Sequence, residues 1–233
     1  LVDYIPRVKT QQKNWIGKSV GMEIKFKLSA TQEYLTVFTT RPDTLFGATY
    51  MVIAPEHPLL STYENKIANI DELNEYRKLA GRKSDFERTE LSKTKTGIEV
   101  KGIKAINPAN NEEIPIWVSD YVLMNYGTGA IMAVPAHDAR DHAFAKKFGL
   151  DIVQVISKDE VDVQKETFYA QHVQCINTDF LNGVEVKEAI KKNGSFKLYF
   201  WSEKREQWVD FTPDITTNCG ITNGNSGSSG GKG

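Results

Sequence analysis

Only two cysteines occur in the 233 residues, Cys175 and Cys219, far apart and without CxxC spacing. They argue against a disulfide framework or a zinc knuckle and fit a reducing cytoplasm. An excess of either charge is also lacking, with 29 Lys and Arg against 30 Asp and Glu, a formal net charge of −1. That excludes a strongly basic shell for gripping long nucleic acid and leaves open a local basic patch. No apolar run approaches the ~18–20 residues that a membrane span needs, and no basic start leads into an apolar stretch as in a signal peptide. The chain opens on Leu1 rather than Met, with apolar and basic residues already mixed, and reads as a piece of a longer protein. No internal repeat is visible. What remains is 40% hydrophobic and 25% charged, the composition of an ordinary globular chain. The length suffices for one large domain or two small ones.

The two ends differ in kind. From Thr216 the sequence reads TTNCGITNGNSGSSGGKG, a stretch too poor in apolar residues to order itself. Residues 216–233 are therefore set apart as a linker or cloning scar, and a domain is expected over 1–215. Within it, Val20 to Leu28 alternates apolar and charged residues, as a half-buried strand does. Further strands are expected over Tyr34 to Thr39, Ala48 to Ala54, Ile98 to Ile106, Ile114 to Val118, Ala130 to Val134, Ile152 to Ile156 and Phe196 to Trp201. Helical spacing appears over Asp71 to Ala80, Asp138 to Phe148 and Val184 to Lys192, with Gly81 and Gly149 as stop signals. Strands dominate and helices interrupt them irregularly, unlike a doubly wound sheet. The expected fold class is α+β with a strand-rich, barrel-like core and peripheral helices.

Two segments carry chemistry. The first is Thr39-Thr40-Arg41-Pro42-Asp43-Thr44-Leu45-Phe46-Gly47, where a strand ends in hydroxyls and turns. Taken alone it is a well-made turn, with Pro42 in a favoured turn position and Asp or Thr available to cap the next element. It is also a row of short donors and acceptors suited to a polar ligand. The second runs from Tyr126 through GTGAIMAVPA to His137, Asp138, Arg140, Asp141 and His142. A Gly-rich turn feeds an apolar strand, then Pro135, then a polar cluster that opens a helix. Asp138 reads as an N-cap, and Asp141 sits favourably near the positive end of the helix dipole. His137 and Asp141 stand four apart, as do Asp138 and His142, which is metal-ligand spacing on a helix. The four do not share one face, however, and no other Cys or His supplies an evident further ligand. Asp141 also suits a cationic ligand group through a charge-assisted hydrogen bond.

Several chemistries are missing. There is no GxxxxGK[ST] phosphate loop and no GxSxG elbow, and Gly127-Thr128-Gly129 lacks the third glycine of a dinucleotide fingerprint. Basic residues interleaved with aromatics occur at Lys9, Lys13, Trp15 and Lys18 and at Lys204, Arg205 and Trp208. Such patches can touch RNA by phosphate contact and stacking, and are as readily plain solvated surface.

Together, TTRPDTLFG at Thr39–Gly47 and MNYGTGAIMAVPAHDARDHAFAKKFGL at Met124–Leu150 closely resemble the editing domain of bacterial-type leucyl-tRNA synthetase, the connective polypeptide inserted in the catalytic core. The resemblance extends over Leu1–Leu28, Lys95–Val122 and Thr178–Ile190, and fades beyond Gly194. The HIGH-like and KMSKS-like signatures of the synthetic core are absent. The resemblance thus implies a hydrolase for mischarged tRNA that does not itself charge tRNA. No cofactor or metal is expected for editing, ATP and Mg²⁺ belonging to the synthetic core. The implied partners are the 3′ end of aminoacylated tRNA(Leu) and the rest of the parent synthetase in cis, with no membrane and a monomer by default.

The physical need for such a domain is a second sieve, because a hydrophobic pocket discriminates one methylene by only ~1–3 kcal/mol. By resemblance, Thr44 is the discriminator that excludes leucine and admits isoleucine, norvaline and similar chains. Met132 and Val134 are implied pocket walls, and Asp141 the anchor of the substrate α-ammonium. Thr39 and Thr40 match the threonine-rich edge near the ester, where they would position water and stabilise an oxyanion. Arg41 and Asp43 are expected to brace that loop, and Tyr126 and Asp138 to contact the adenosine or order the pocket. His137 is expected to bind or support rather than to act as a base. Two other readings stay open: a binding module that holds the acceptor end without cleaving it, and a metal-dependent hydrolase using His137, Asp138, Asp141 and His142.

Overall fold

The computed structural model describes residues 5–16, 21–88, 95–125, 127–157, 161–168, 172–193, 198–202 and 207–211. The chain divides into two compact units, one of Leu1–Val20 with Thr217–Gly233 and the other of Gly21–Thr216. In the first, α1 spans Pro6–Ile16, a helix that the periodicity reading does not anticipate. Pro6 at its start suits the first helical turn, where a backbone N–H has no partner to lose.

The second unit is built on a six-stranded sheet. Its strands are β1 (Met22–Leu28), β2 (Tyr34–Thr39), β3 (Tyr50–Ile53), β4 (Ile98–Ile106), β5 (Glu113–Val118) and β6 (Ala130–Ala133), in the spatial order β2-β1-β4-β5-β3-β6. All neighbours are antiparallel except β3 and β5. The edge strands β2 and β6 come together, so the sheet is a nearly closed barrel. Alternation explains the interior. Met22, Ile24, Phe26 and Leu28 of β1, Leu35 and Val37 of β2, and Ile114, Ile116 and Val118 of β5 are buried and share one core cluster. In β4 the register shifts between Glu99 and Lys104, and Gly102 there has φ of 102°, a left-handed value that glycine tolerates without a side-chain clash.

β3 is buried on both faces. Met51 and Ile53 join the barrel interior, while Tyr50 and Val52 join an outer cluster beneath α4 (Ala139–Phe148). Phe144 of that helix stacks on Tyr50 with centroids 5.5 Å apart and meets Trp117 edge-on at 5.4 Å. Asp138 caps α4 by accepting the N–H groups of Arg140 and Asp141, and Gly149 ends it with φ of 68°. α2 (Pro58–Thr62) and α3 (Ile70–Ala80) flank the sheet connections, and Gly81 closes α3 in a right-handed rather than a left-handed conformation. A third cluster gathers Ile156, Phe168, Cys175, Leu181, Val186 and Ala189 around α5 (Val186–Asn193). The hairpin β7 (Leu198–Ser202) and β8 (Gln207–Phe211) forms a separate two-stranded sheet.

The strand expected over Ile152 to Ile156 is corrected. That segment makes one isolated bridge, Ile156 to Cys175, and is otherwise irregular. Its apolar residues join two clusters instead of a ladder, Ile152 with Tyr50, Val52 and Phe144 and Ile156 with Val186 and Ala189. No helix among the described residues is long and apolar enough to cross a membrane.

Candidate functional site

Both chemical segments leave the barrel at its seam. Residues 39–47 follow edge strand β2, and residues 134–141 follow edge strand β6. A 3-10 helix, Pro42–Gly47, forms where a turn is expected, and it tucks Asp43, Thr44 and Leu45 into the interior. Asp43 is fully buried and takes a two-pronged ion pair from Arg41, Nε to Oδ1 at 2.9 Å and Nη2 to Oδ2 at 2.7 Å. The planar guanidinium matches both carboxylate oxygens, which compensates their loss of water. Asn107 steadies the far end by donating Nδ2 to the carbonyls of Leu45 at 2.9 Å and Ala48 at 3.2 Å.

The threonines are not equivalent. Thr39 is half-buried, and its Oγ1 accepts the N–H of Arg41 at 3.0 Å, which leaves the hydroxyl proton to donate elsewhere. Thr40 is exposed. Thr44 is buried, and its hydroxyl donates to the carbonyl of Arg41 at 2.9 Å. What Thr44 can still present is a methyl group and oxygen lone pairs. Met132 and Val134 are buried in the same barrel-core cluster as Leu45, so both segments contribute apolar side chains to that core.

Asp141 is the unusual group. It lies in the first turn of α4 with 5% of its surface exposed. Its Oδ2 accepts the N–H of Val134 at 3.0 Å, and its Oδ1 accepts the hydroxyl of Tyr121 at 3.3 Å. The hydroxyl of Tyr50 donates to its backbone carbonyl at 2.8 Å. Among the described residues it makes no ion pair. Burial, reinforced by the charge of Asp138, pushes its carboxyl up to about 7. Tyr50, Tyr121 and Asn107 are not singled out by the sequence, where a Tyr or Asn within an apolar stretch carries no distinguishing pattern.

The histidines are engaged as supports. His137 Nδ1 lies 3.1 Å from the carbonyl of Phe168, and Nε2 accepts the N–H of Val155 at 3.1 Å. Burial lowers its pKa, and the nearby Arg41 charge acts in the same direction, which places the two chemical segments beside each other. His142 Nε2 lies 3.1 Å from the carbonyl of Val163. Among the described residues no group of three His, Cys, Asp or Glu could hold a metal ion. The side chains at that spacing bond instead to the start of α4, to backbone groups and to the Tyr121 hydroxyl. Tyr126 lies outside the described residues, as do Lys18, Lys204 and Arg205; nothing is described of the side chains of Lys13, Trp15 and Trp208.

The family model for the leucyl-tRNA synthetase editing domain matches residues 13–196. The chain belongs to that family. Curated relatives named leucine–tRNA ligase include those of Alkaliphilus oremlandii, 51% identical over 94% of this chain, and Chloroherpeton thalassium, 52% identical over 88%. The chain spans 29% and 25% of their respective lengths. A crystal structure of the ternary complex of Agrobacterium radiobacter K84 agnB2 LeuRS, tRNA and LeuAMS is similar over 68% of this chain and 18% of its own, with 36% identity and a TM-score of 0.55. For this editing domain, the mixed α+β architecture and barrel-shaped sheet are those the motifs imply.

Proposed function

We propose that this editing domain hydrolyses the ester bond of tRNA(Leu) charged with isoleucine, norvaline or a similar amino acid, while excluding leucine. The observation that carries this reading is Asp141, a buried carboxyl bonded by neutral donors, with no cation paired to it among the described residues. Such a group is costly to ionise until a cation arrives, and a substrate ammonium would supply it. That contact fixes the acyl carbonyl in space, so chemistry at the ester depends on it.

The proposed reaction needs no enzyme nucleophile. Water adds to the ester carbonyl, the resulting oxyanion collapses, the acyl carbon–oxygen bond breaks, and the ribose oxygen leaves with a proton. Thr39 and Thr40, with neighbouring backbone N–H groups, position the water and donate to the oxyanion. The free vicinal hydroxyl of the terminal ribose assists as part of the substrate. Thr44 meets a leucine side chain with its methyl group, because its hydroxyl proton is committed to Arg41. The domain acts on the acceptor end of the tRNA, with the remainder of the ligase supplying the other contacts.

The test is deacylation of isoleucyl-tRNA(Leu) by the native chain and by Asp141→Ala, each with and without chelator. Cleavage that survives chelator and disappears in the variant supports the reading. Binding of the charged tRNA end without cleavage would instead favour a holding module, and loss on chelation would favour metal-dependent hydrolysis.

A further inference from the structure

The carboxylate of Asp141 is held from outside its own helix. Tyr121 sits in the loop that follows β5, and its hydroxyl reaches Oδ1 at 3.3 Å while the N–H of Val134 takes Oδ2. Tyr121 is itself buried, edge-on to Phe144 at 5.9 Å between centroids. Its backbone is gripped on both sides by one residue. Arg88 donates Nε to the carbonyl of Asp120 at 2.7 Å and Nη2 to that of Val122 at 2.9 Å. Arg88 is buried and pairs with Glu56 at 3.0 Å. Further bonds fasten Asp120: its carboxylate takes Lys83 Nζ at 2.6 Å and Thr96 Oγ1 at 3.1 Å, and its N–H donates to the Tyr76 hydroxyl at 3.0 Å. A loop restrained at this many points is a rigid mount for one hydroxyl. The fork of Arg88 spans the two carbonyls in a way that a lysine ammonium could not.

We propose that Tyr121 is a positioning residue for the editing reaction, its hydroxyl fixing the Asp141 carboxylate in the orientation that receives the substrate ammonium, with Arg88 holding Tyr121 in place. This rests on the reading of Asp141 as the ammonium anchor. With one donor on each oxygen the carboxylate is held at two points, and each oxygen keeps a second lone pair for the ligand. The hydroxyl also favours the ionised acid, in opposition to burial. The ionisable groups facing Asp141 are Asp138 and Arg140 beside it, Tyr50 from β3 and Tyr121, with Lys95 over the Tyr121 ring. Of these, Asp138 disfavours the ionised form and Arg140 favours it.

The variant is Tyr121→Phe, which keeps the ring and deletes the donor. The carboxyl carbon of Asp141 is titrated by NMR in ¹³C-aspartate-labelled protein, assigned by its absence in Asp141→Asn. The midpoint should move upward by about 0.5–1 pH unit. Single-turnover deacylation of isoleucyl-tRNA(Leu) should then fall at every pH, and by about three- to tenfold more on the acid side of its pH profile. Arg88→Lys should move the same midpoint in the same direction, and adding Tyr121→Phe to it should give less than the sum. Coincident titrations of native and Tyr121→Phe protein overturn the proposal, as does a Tyr121→Phe rate equal to the native one at every pH. Native activity in Asp141→Asn would instead sink the anchor reading, and the NMR titration would still decide whether Tyr121 holds the carboxylate.

Discussion

Val155 donates its backbone N–H to Nε2 of His137 at 3.1 Å, and this bond settles what His137 can do. A ring nitrogen that accepts a hydrogen bond carries no proton. The proton therefore sits on Nδ1 and is donated to the carbonyl of Phe168, 3.1 Å away. Both nitrogens are occupied and the ring is neutral. The imidazole ties the turn after β6 to the irregular segments that contain Val155 and Phe168.

The consequence for stability comes from the sign of its shift. His137 has its pKa lowered by burial, so the folded protein binds fewer protons there than the unfolded chain. Its contribution is whole above the ordinary histidine value of ~6.5 and is lost as pH falls through the lowered folded value. Urea midpoints between pH 7.5 and 5 should therefore depend less on pH in His137→Gln than in the native chain. The pH profile of deacylation should keep its midpoint, because the variant removes a support and not a base.

Arg41 and Asp43 should respond unequally to deletion. Arg41→Ala leaves a fully buried carboxylate without its two-pronged partner, which costs on the order of 3–5 kcal/mol. Asp43→Asn leaves an arginine that is partly exposed and can turn to water, so the loss should be smaller. Chemical denaturation of the two variants checks the order. Equal losses would mean that the pair contributes through packing alone.

Thr44→Ala removes the methyl group and the bond to the Arg41 carbonyl together. Hydrolysis of correctly charged leucyl-tRNA(Leu) should rise about 10- to 200-fold, the range that one methylene-sized contact commands, while isoleucyl-tRNA(Leu) is still cleaved. Unchanged protection of leucine in a deacylation assay would remove Thr44 from the specificity role.

Asp141→Asn should trade activity for stability. The folded pKa of Asp141 is pushed up to about 7, so its ionisation opposes folding. The native chain is most favoured at this site below ~4 and loses that advantage as pH rises through about 7. Asparagine is neutral throughout and can still accept the Val134 N–H. At pH 8 the variant should unfold at higher urea than the native chain, with the difference shrinking as pH falls below about 7 and vanishing below ~4. Lower stability of the variant at pH 8 would show that the ionised acid is already compensated without a ligand.

The sequence reveals much of the barrel because its strands are half-buried. β2 and β4 lie at the expected bounds, and the alternation over Val20–Leu28 marks β1 to within two residues. The Ile152–Ile156 stretch carries the same apolar signature without a ladder, and local pattern cannot separate strand from packed loop. At the site, the two motifs are legible as contiguous runs with unusual residue types. Arg88, Asn107 and Tyr121 are not, because each acts on backbone or side-chain groups far away in the chain. Asn107 reaches Leu45 and Arg88 reaches Val122, contacts that exist only once the fold is formed.

The seam between β2 and β6 carries a further meaning for the hydrolase proposed above, whose substrate would differ little from correctly charged tRNA. These strands stand at opposite ends of the strand order and are joined through nearly the whole sheet. The threonines at the end of β2 and the acid after β6 are brought to one end of the barrel only when the last gap in the cylinder shuts. Closing such a long loop is an entropically late event in folding. An emerging or half-melted chain would hold each part of the machinery on a separate flap, unable to cleave anything. Under the proposed function, ester cleavage would in this way be an all-or-none property of the finished barrel, with no separate safeguard needed against indiscriminate deacylation.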